Sequence, residues 1–381
     1  MTYLDHNAIT PMRPEAKVAV AAALEVFGNP ASVHAAGRAA RDLLDRARAQ
    51  VAAALGAQPA EIVFTSGATE SAALAIRGAL GAAPAGRDAL VVTAVEHPCV
   101  LDVAASLRAE AGRVAIVPVD RDGLPDLVAL RAAITVRTAL ACAMVANNET
   151  GVLLPVREIA ASARERGALF FSDATQAVGK VEVDVRTLGA DLVALTGQKL
   201  GGPRGAGVLW VKSGVRLAPL LGGSQERGRR AGTENLPGIA GLGAAIEAAV
   251  AQRAAEERRI RALRDRLEAG LLAAIPGARV NGAGAPRLPN TLSLTLPGAD
   301  AEALLIALDL EGVCASAGSA CHSGSTRPSG VLTAMGLTTG EARGTLRLSL
   351  GWPSGDADVD RALEVIPRLA RQVREAIPAA G

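Results

Sequence analysis

From about residue 35 to residue 250, short apolar runs alternate with amphipathic stretches. Within residues 38–55, Leu44, Ala47, Val51 and Leu55 recur at helical spacing, and Gly56 follows as a stop. The spacing predicts a helix there. Seven apolar runs of strand length follow, at 61–64, 90–95, 114–119, 139–145, 168–172, 191–195 and 206–211. Most are separated by helical patterns. That alternation predicts βαβ units and a mostly parallel sheet covered on both faces. At 252–273 the pattern changes to a long, highly charged helix, read as a solvated helix that bridges to a second, smaller domain. Strands are expected in that domain near 291–296 and 345–350. Residues 312–330, rich in Ser, Gly and Ala, read as one long loop, a length that in compact domains marks function or disorder.

Composition narrows the picture. A chain of 381 residues suggests about two domains, and half of its residues are apolar. Aromatics make up 2%, too few for a base-stacking platform, so no direct nucleic-acid partner is expected. Forty basic against 38 acidic residues give a net charge of +2, which points to no polyanionic or membrane-surface partner. The four cysteines, Cys99, Cys142, Cys314 and Cys321, form neither a disulfide framework nor a zinc-type pair. Unpaired thiols suit a reducing compartment. The opening MTYLDHNAIT has no cationic-then-apolar leader, and no stretch reaches the roughly 18 apolar residues of a membrane span. The expectation is a cytoplasmic protein with no membrane and no resident metal.

Three segments carry candidate chemistry. In FTSGATE, at 64–70, a strand gives way through small residues to a helix, and exposed N–H groups there form an anion site. Alone, that pattern is as readily an ordinary N-capped turn. In FFSDATQ, at 170–176, Asp173 follows a buried strand, where ligands bind in open α/β sheets; a lone aspartate there could equally cap a helix. In LTGQKLGGP, at 195–203, Lys199 lies in a glycine-rich turn after another strand, although a single loop lysine is more often a surface residue. Together they match what pyridoxal phosphate needs: a lysine for the Schiff base, a carboxylate for the pyridinium nitrogen and a cradle for the phosphate.

These motifs resemble the class V pyridoxal-phosphate-dependent aminotransferase family, and within it the NifS/IscS-type cysteine desulfurases. The resemblance runs nearly the whole length, through Leu4-Asp5-His6, the Gly28–Ser32 stretch GNPAS, FTSGATES at 64–71, VEHPCVL at 95–101, ANNETG at 146–151, SDATQAVGK at 172–180, RRAGTEN at 229–235, SAGSAC at 316–321 and LRLSLG at 346–351. It implies a fold-type I α/β architecture: a large domain with a mostly parallel seven-stranded sheet over 16–255, and a smaller α+β domain from 1–15 and 256–381 that carries the cysteine loop. It implies a homodimer and the conversion of L-cysteine to L-alanine. The sulfur passes to an enzyme cysteine as a persulfide and on to an acceptor protein for iron–sulfur cluster assembly or tRNA thiolation.

The resemblance also implies roles. Lys199 holds pyridoxal 5'-phosphate and removes the Cα proton. Asp173 pairs with the ring nitrogen, Gln176 with the ring hydroxyl, and His97 stacks on the ring with Asn148 beside it. Ala68, Thr69, Thr196 and Gln198 surround the phosphate, and Thr233 reaches it from the partner subunit. Arg347 binds the substrate carboxylate, a task suited to a planar bidentate donor. Among the thiols, Cys142 lies in an apolar strand and Cys99 reads as packing, while Cys314 opens the small-residue stretch. Cys321, beside His322 in that stretch, is the expected sulfur acceptor and a candidate transient iron–sulfur ligand. Two positions depart from the family: Gln198 stands where histidine is usual, and Ala72-Ala73 where Asp-Asn is usual. The departures give weight to one alternative, a weakly active desulfurase-like partner protein; a selenocysteine lyase, a near relative using similar residues, is the other.

Overall fold

The computed structural model describes residues 1–109, 113–317 and 328–376. Among the described residues, thirteen strands form three sheets. Strand β1 is Thr2–Tyr3. Strands β2 (Ile62–Thr65), β3 (Ala89–Thr93), β4 (Arg113–Val117), β5 (Thr138–Cys142), β6 (Leu169–Asp173), β7 (Leu192–Thr196) and β8 (Gly207–Val211) match the seven apolar runs to within a few residues at each end. They make one seven-stranded sheet in the order β2-β8-β7-β6-β5-β3-β4. Only β8 runs against its neighbours, so six strands point the same way. Strands β5, β7 and β8 are buried at every position. Continuous apolar runs are what a parallel sheet covered on both faces requires.

The helix expected at 38–55 spans Ala35–Leu55 and ends at Gly56, whose φ of 70° is the left-handed stop a glycine supplies without strain. The long charged helix is longer than its pattern suggested. It begins at Leu236, capped by Asn235, and runs 39 residues to Ala274. Its first half is rich in alanine and glycine and buries Ile239, Leu242, Ala245, Ile246 and Ala249. A segment buried on most sides has no polar face, so no amphipathic period announced it.

The second half of that helix buries Ile260, Leu263, Leu267 and Leu271 in a separate core shared with Leu4, Leu304, Leu308 and Val359. This core backs a four-stranded antiparallel sheet of β9 (Arg279–Val280), β10 (Thr291–Thr295), β12 (Ser316–Ala317) and β13 (Thr345–Ser349). Strand β11 (Val313–Cys314) pairs with β1, bringing the N-terminus across to the C-terminal part of the chain. The 312–330 stretch is therefore not all loop. Its first residues form β11 and β12, whose partners Tyr3 and Arg347 are distant in sequence and leave no local signature. Among the described residues, no helix is long and apolar enough to cross a membrane.

Candidate active site

The functional side chains gather at the C-terminal ends of the parallel strands, where open α/β sheets bind ligands. Asp173 closes β6 and Thr196 closes β7; Gly197–Lys199 then form a single tight turn. Gly201, at φ 85°, lets the chain leave this turn in a conformation that side chains resist. His97 precedes the helix Pro98–Ala109, and its Nδ1 accepts the Cys99 N–H at 3.1 Å. That bond leaves the ring proton on Nε2, and burial lowers the imidazole's pKa in agreement with a neutral ring.

At the C-terminal end of β2, the helix Ala68–Gly81 starts from Gly67 with no side-chain cap. The N-capped turn weighed as an alternative is absent, so first-turn N–H groups remain for a ligand. Gly207 of β8 lies so close that a Cβ on it would stand 2.5 Å from the Gly67 Cα, and this contact fixes the cradle against the sheet. Glu70 accepts the Ser66 N–H at 2.8 Å and pairs with Arg230 at 2.7 Å. That pair ties the cradle to the segment containing Thr233. Thr196 donates its hydroxyl to Gln198 Oε1 at 2.5 Å, which leaves the Gln198 amide nitrogen as the available donor.

One cavity of about 380 Å³ collects these groups. Ala68, Thr69, Thr196 and Gln198 line one part of its wall; His97, Asn148, Asp173, Gln176, Lys199 and Arg347 line the rest. Thr233 is exposed and does not line it, and Cys321 lies outside the described residues. Cys99, read from the sequence as packing, also lines the cavity.

The N-terminal segment supplies what the motifs did not announce. Asn7 is 1% exposed and ties the two cores together. Its Nδ2 donates to Asn148 O and Thr291 Oγ1, and its Oδ1 accepts from Asn290 and Lys180. Its main-chain oxygen accepts from Lys199 Nζ at 2.7 Å and from Gln176 at 2.9 Å. Asp5 pairs with Arg347 at 2.8 Å while Arg347 also donates to Asn148 O at 3.1 Å. Arg347 is 2% exposed, and its Nε is buried without a partner, as is the Thr175 hydroxyl on the same cavity wall. Unmade bonds of this kind are costly unless a ligand completes them.

The surrounding ionisations are strongly shaped. Burial, with the nearby Asp173 charge, lifts the Glu96 carboxyl to about 7. Burial likewise lifts Glu149 to about 7, against the Ser329 hydroxyl bound to it and the Arg347 charge. Burial, then the Lys199 and Arg347 charges, bring Lys180 down to about 7. None of the three lines the cavity, but each interacts with a charge that does: Glu96 with Asp173, Glu149 with Arg347, and Lys180 with Lys199 and Arg347. Perturbed groups gathered in this way mark a site of chemistry.

Comparison with known proteins decides the family. The profile of the family described as Aminotransferase class-V matches residues 2–362. The chain belongs to that family. A cysteine desulfurase of Gluconacetobacter diazotrophicus is 48% identical over 99% of this chain and 95% of its own length. The NifS cysteine desulfurase of Azotobacter vinelandii is 43% identical over 99% of this chain and 94% of its own length. Among solved structures, a NifS-like protein superposes with a TM-score of 0.90 at 32% identity, covering 97% of this chain and 99% of that one. These full-length matches place the chain among the cysteine desulfurases of the class-V aminotransferases, and its function is cysteine desulfuration.

Proposed function

We propose that this desulfurase works with pyridoxal 5'-phosphate held in the 380 Å³ cavity, with Lys199 as its attachment point and Cys321 as the sulfur acceptor. The observation that carries the reading is one cavity with an uncapped helix N-terminus, a lysine and a strand-end carboxylate on its wall. The donor set fits the group. First-turn N–H groups with the Gln198 amide, oriented by Thr196, suit a phosphate, Asp173 suits a protonated ring nitrogen, and Gln176 suits the ring hydroxyl. When bound, the cofactor supplies an electron sink for the substrate carbon. The test is direct: the purified protein, given L-cysteine and a thiol reductant, should release alanine and sulfide in equal amounts. Cysteine left unconsumed would reject the reading.

The chain's own groups then divide the work. Arg347, held by Asp5 and by Asn148 O, keeps Nε for the substrate carboxylate. Lys199 Nζ takes the Cα proton, and His97 covers the site as a neutral imidazole. The Cys321 thiolate attacks the substrate sulfur; an S–S bond forms as the C–S bond breaks. The carbon fragment takes the bonding electrons and a proton and leaves as alanine. The persulfide then passes to an acceptor protein of iron–sulfur assembly or tRNA thiolation, in the cytoplasm.

The active assembly in this reading is a homodimer. Two-fold dimers are the commonest assembly, and the partner subunit's Thr233 would complete the phosphate site. Sedimentation at assay concentration should give twice the chain mass of 38.5 kDa. A fully active monomer would overturn it.

Gln198 tests how much this site depends on the usual histidine. The amide donates through Nε2 but carries no charge, and charge-assisted bonds are stronger. Gln198→His should tighten pyridoxal phosphate about fivefold, on the order of 1 kcal/mol, and raise turnover. A neutral or harmful effect on both would show a site adapted to glutamine through its Thr196 bond.

A further inference from the structure

We propose that Lys180 is a positioning residue of the active site: it holds the Gln176 amide with its nitrogen toward the cavity and places a second cation behind Lys199. The inference rests on the pyridoxal phosphate reading above.

The geometry fixes an orientation that is normally ambiguous, because amide oxygen and nitrogen are interchangeable in shape. Lys180 Nζ stands 2.5 Å from Gln176 Oε1. The Lys180 ammonium, the form present below its lowered pKa of about 7, only donates, so the amide oxygen faces it. Gln176 Nε2 stands 2.9 Å from Asn7 O, and a main-chain carbonyl only accepts. Both ends of the amide are thus assigned by partners with one role each. The amide keeps one further N–H, on a side chain that lines the cavity beside Asp173 and Lys199. Without Lys180 the oxygen loses its donor, and the bond from Nε2 to Asn7 O alone opposes turning the acceptor to the ring hydroxyl.

The second effect is electrostatic. Lys180 and Lys199 meet on one asparagine, at Asn7 Oδ1 (3.3 Å) and Asn7 O (2.7 Å) respectively. Both lysines also line a second cavity, of about 60 Å³, together with His6, Glu256 and Glu257. His6, pulled down to about 4 mainly by burial, is neutral there. Arg347 adds another positive charge, and Glu256 and Glu257 of the long helix line the same cavity as Lys180. A cation behind Lys199 disfavours a proton on the lysine nitrogen once it is linked to the cofactor, and so does an N–H donor on the ring oxygen. Losing Lys180 removes both influences, and both losses act in the same direction.

The experiment uses the intact holoenzyme and follows cofactor absorbance against pH. Lys180→Met should raise the midpoint of the absorbance change by about one unit, while Lys180→Arg, still a donor-only cation, should stay within a few tenths of the wild type. Cofactor content and Tm measured on the same samples report folding, and Lys180→Gln, which loses the charge but can still donate to Gln176 and so should give a smaller rise, serves should Lys180→Met fail to fold. An unchanged or lowered midpoint in a folded, cofactor-loaded neutral variant overturns the inference. A wild type with no absorbing cofactor instead overturns the pyridoxal phosphate reading, and the inference with it.

Discussion

Lys199→Ala should cut alanine formation from cysteine by about 10³-fold or more, since in the proposed mechanism it removes both the attachment point and the general base. No neighbour can substitute. Lys180 is committed to Gln176 and Asn7, and His97 Nδ1 is engaged by the Cys99 N–H. The variant should still fold, because the Lys199 ammonium bonds main-chain oxygens of Asn7 and Ala8 at a cavity wall and fills no core position. It should also remain able to bind the phosphate end, through the first-turn N–H groups of the helix Ala68–Gly81. The adduct supplies an independent measurement. Borohydride reduction of the wild type, followed by peptide mapping, should find the cofactor on the peptide containing Lys199, and Lys199→Ala should give no adduct. Reduced cofactor on Lys180 or any other lysine would show that the attachment point was misassigned.

The parts of this molecule that were legible in its sequence are those whose physics is local. Buried parallel strands read as apolar runs because both faces are covered, so β2 to β8 were found to within a few residues. Asp173 and Lys199 stood out because strand ends are positions where side chains leave the sheet. What stayed hidden depends on contacts between distant segments. Asn7 bonds Thr291 and Asn290, nearly three hundred residues away, and neither spacing nor composition announces such a hub. Lys180 was visible only as one letter in a motif; its role emerges when Asn7 and Gln176 are brought to it. Strands β11 and β12 were hidden for the same reason, and the buried half of the Leu236–Ala274 helix because it lacks a polar face.

Cys321→Ser should reduce alanine formation to background, a loss of about 10³-fold, while leaving cofactor content unchanged. Serine keeps the size but is a far weaker nucleophile toward sulfur. The structure sharpens the comparison although Cys321 itself lies outside the described residues. Cys142 is fully enclosed in β5, and burial pushes its thiol well above the ordinary range, which disfavours the reactive thiolate. Cys314 is half-buried in β11, paired with Tyr3, and is not on the cavity wall. Cys99 is the stronger rival, being half-buried and on that wall. Yet Cys99 opens a helix and its N–H holds His97, so its position serves the imidazole. Cys99→Ser keeps that N–H and should keep most of the activity, as should Cys314→Ser. After a single turnover, mass spectrometry of the wild type should find an added sulfur on Cys321. A persulfide on Cys99, or an active Cys321→Ser enzyme, would move the acceptor from the small-residue stretch to the cavity wall and change the route by which sulfur leaves the protein.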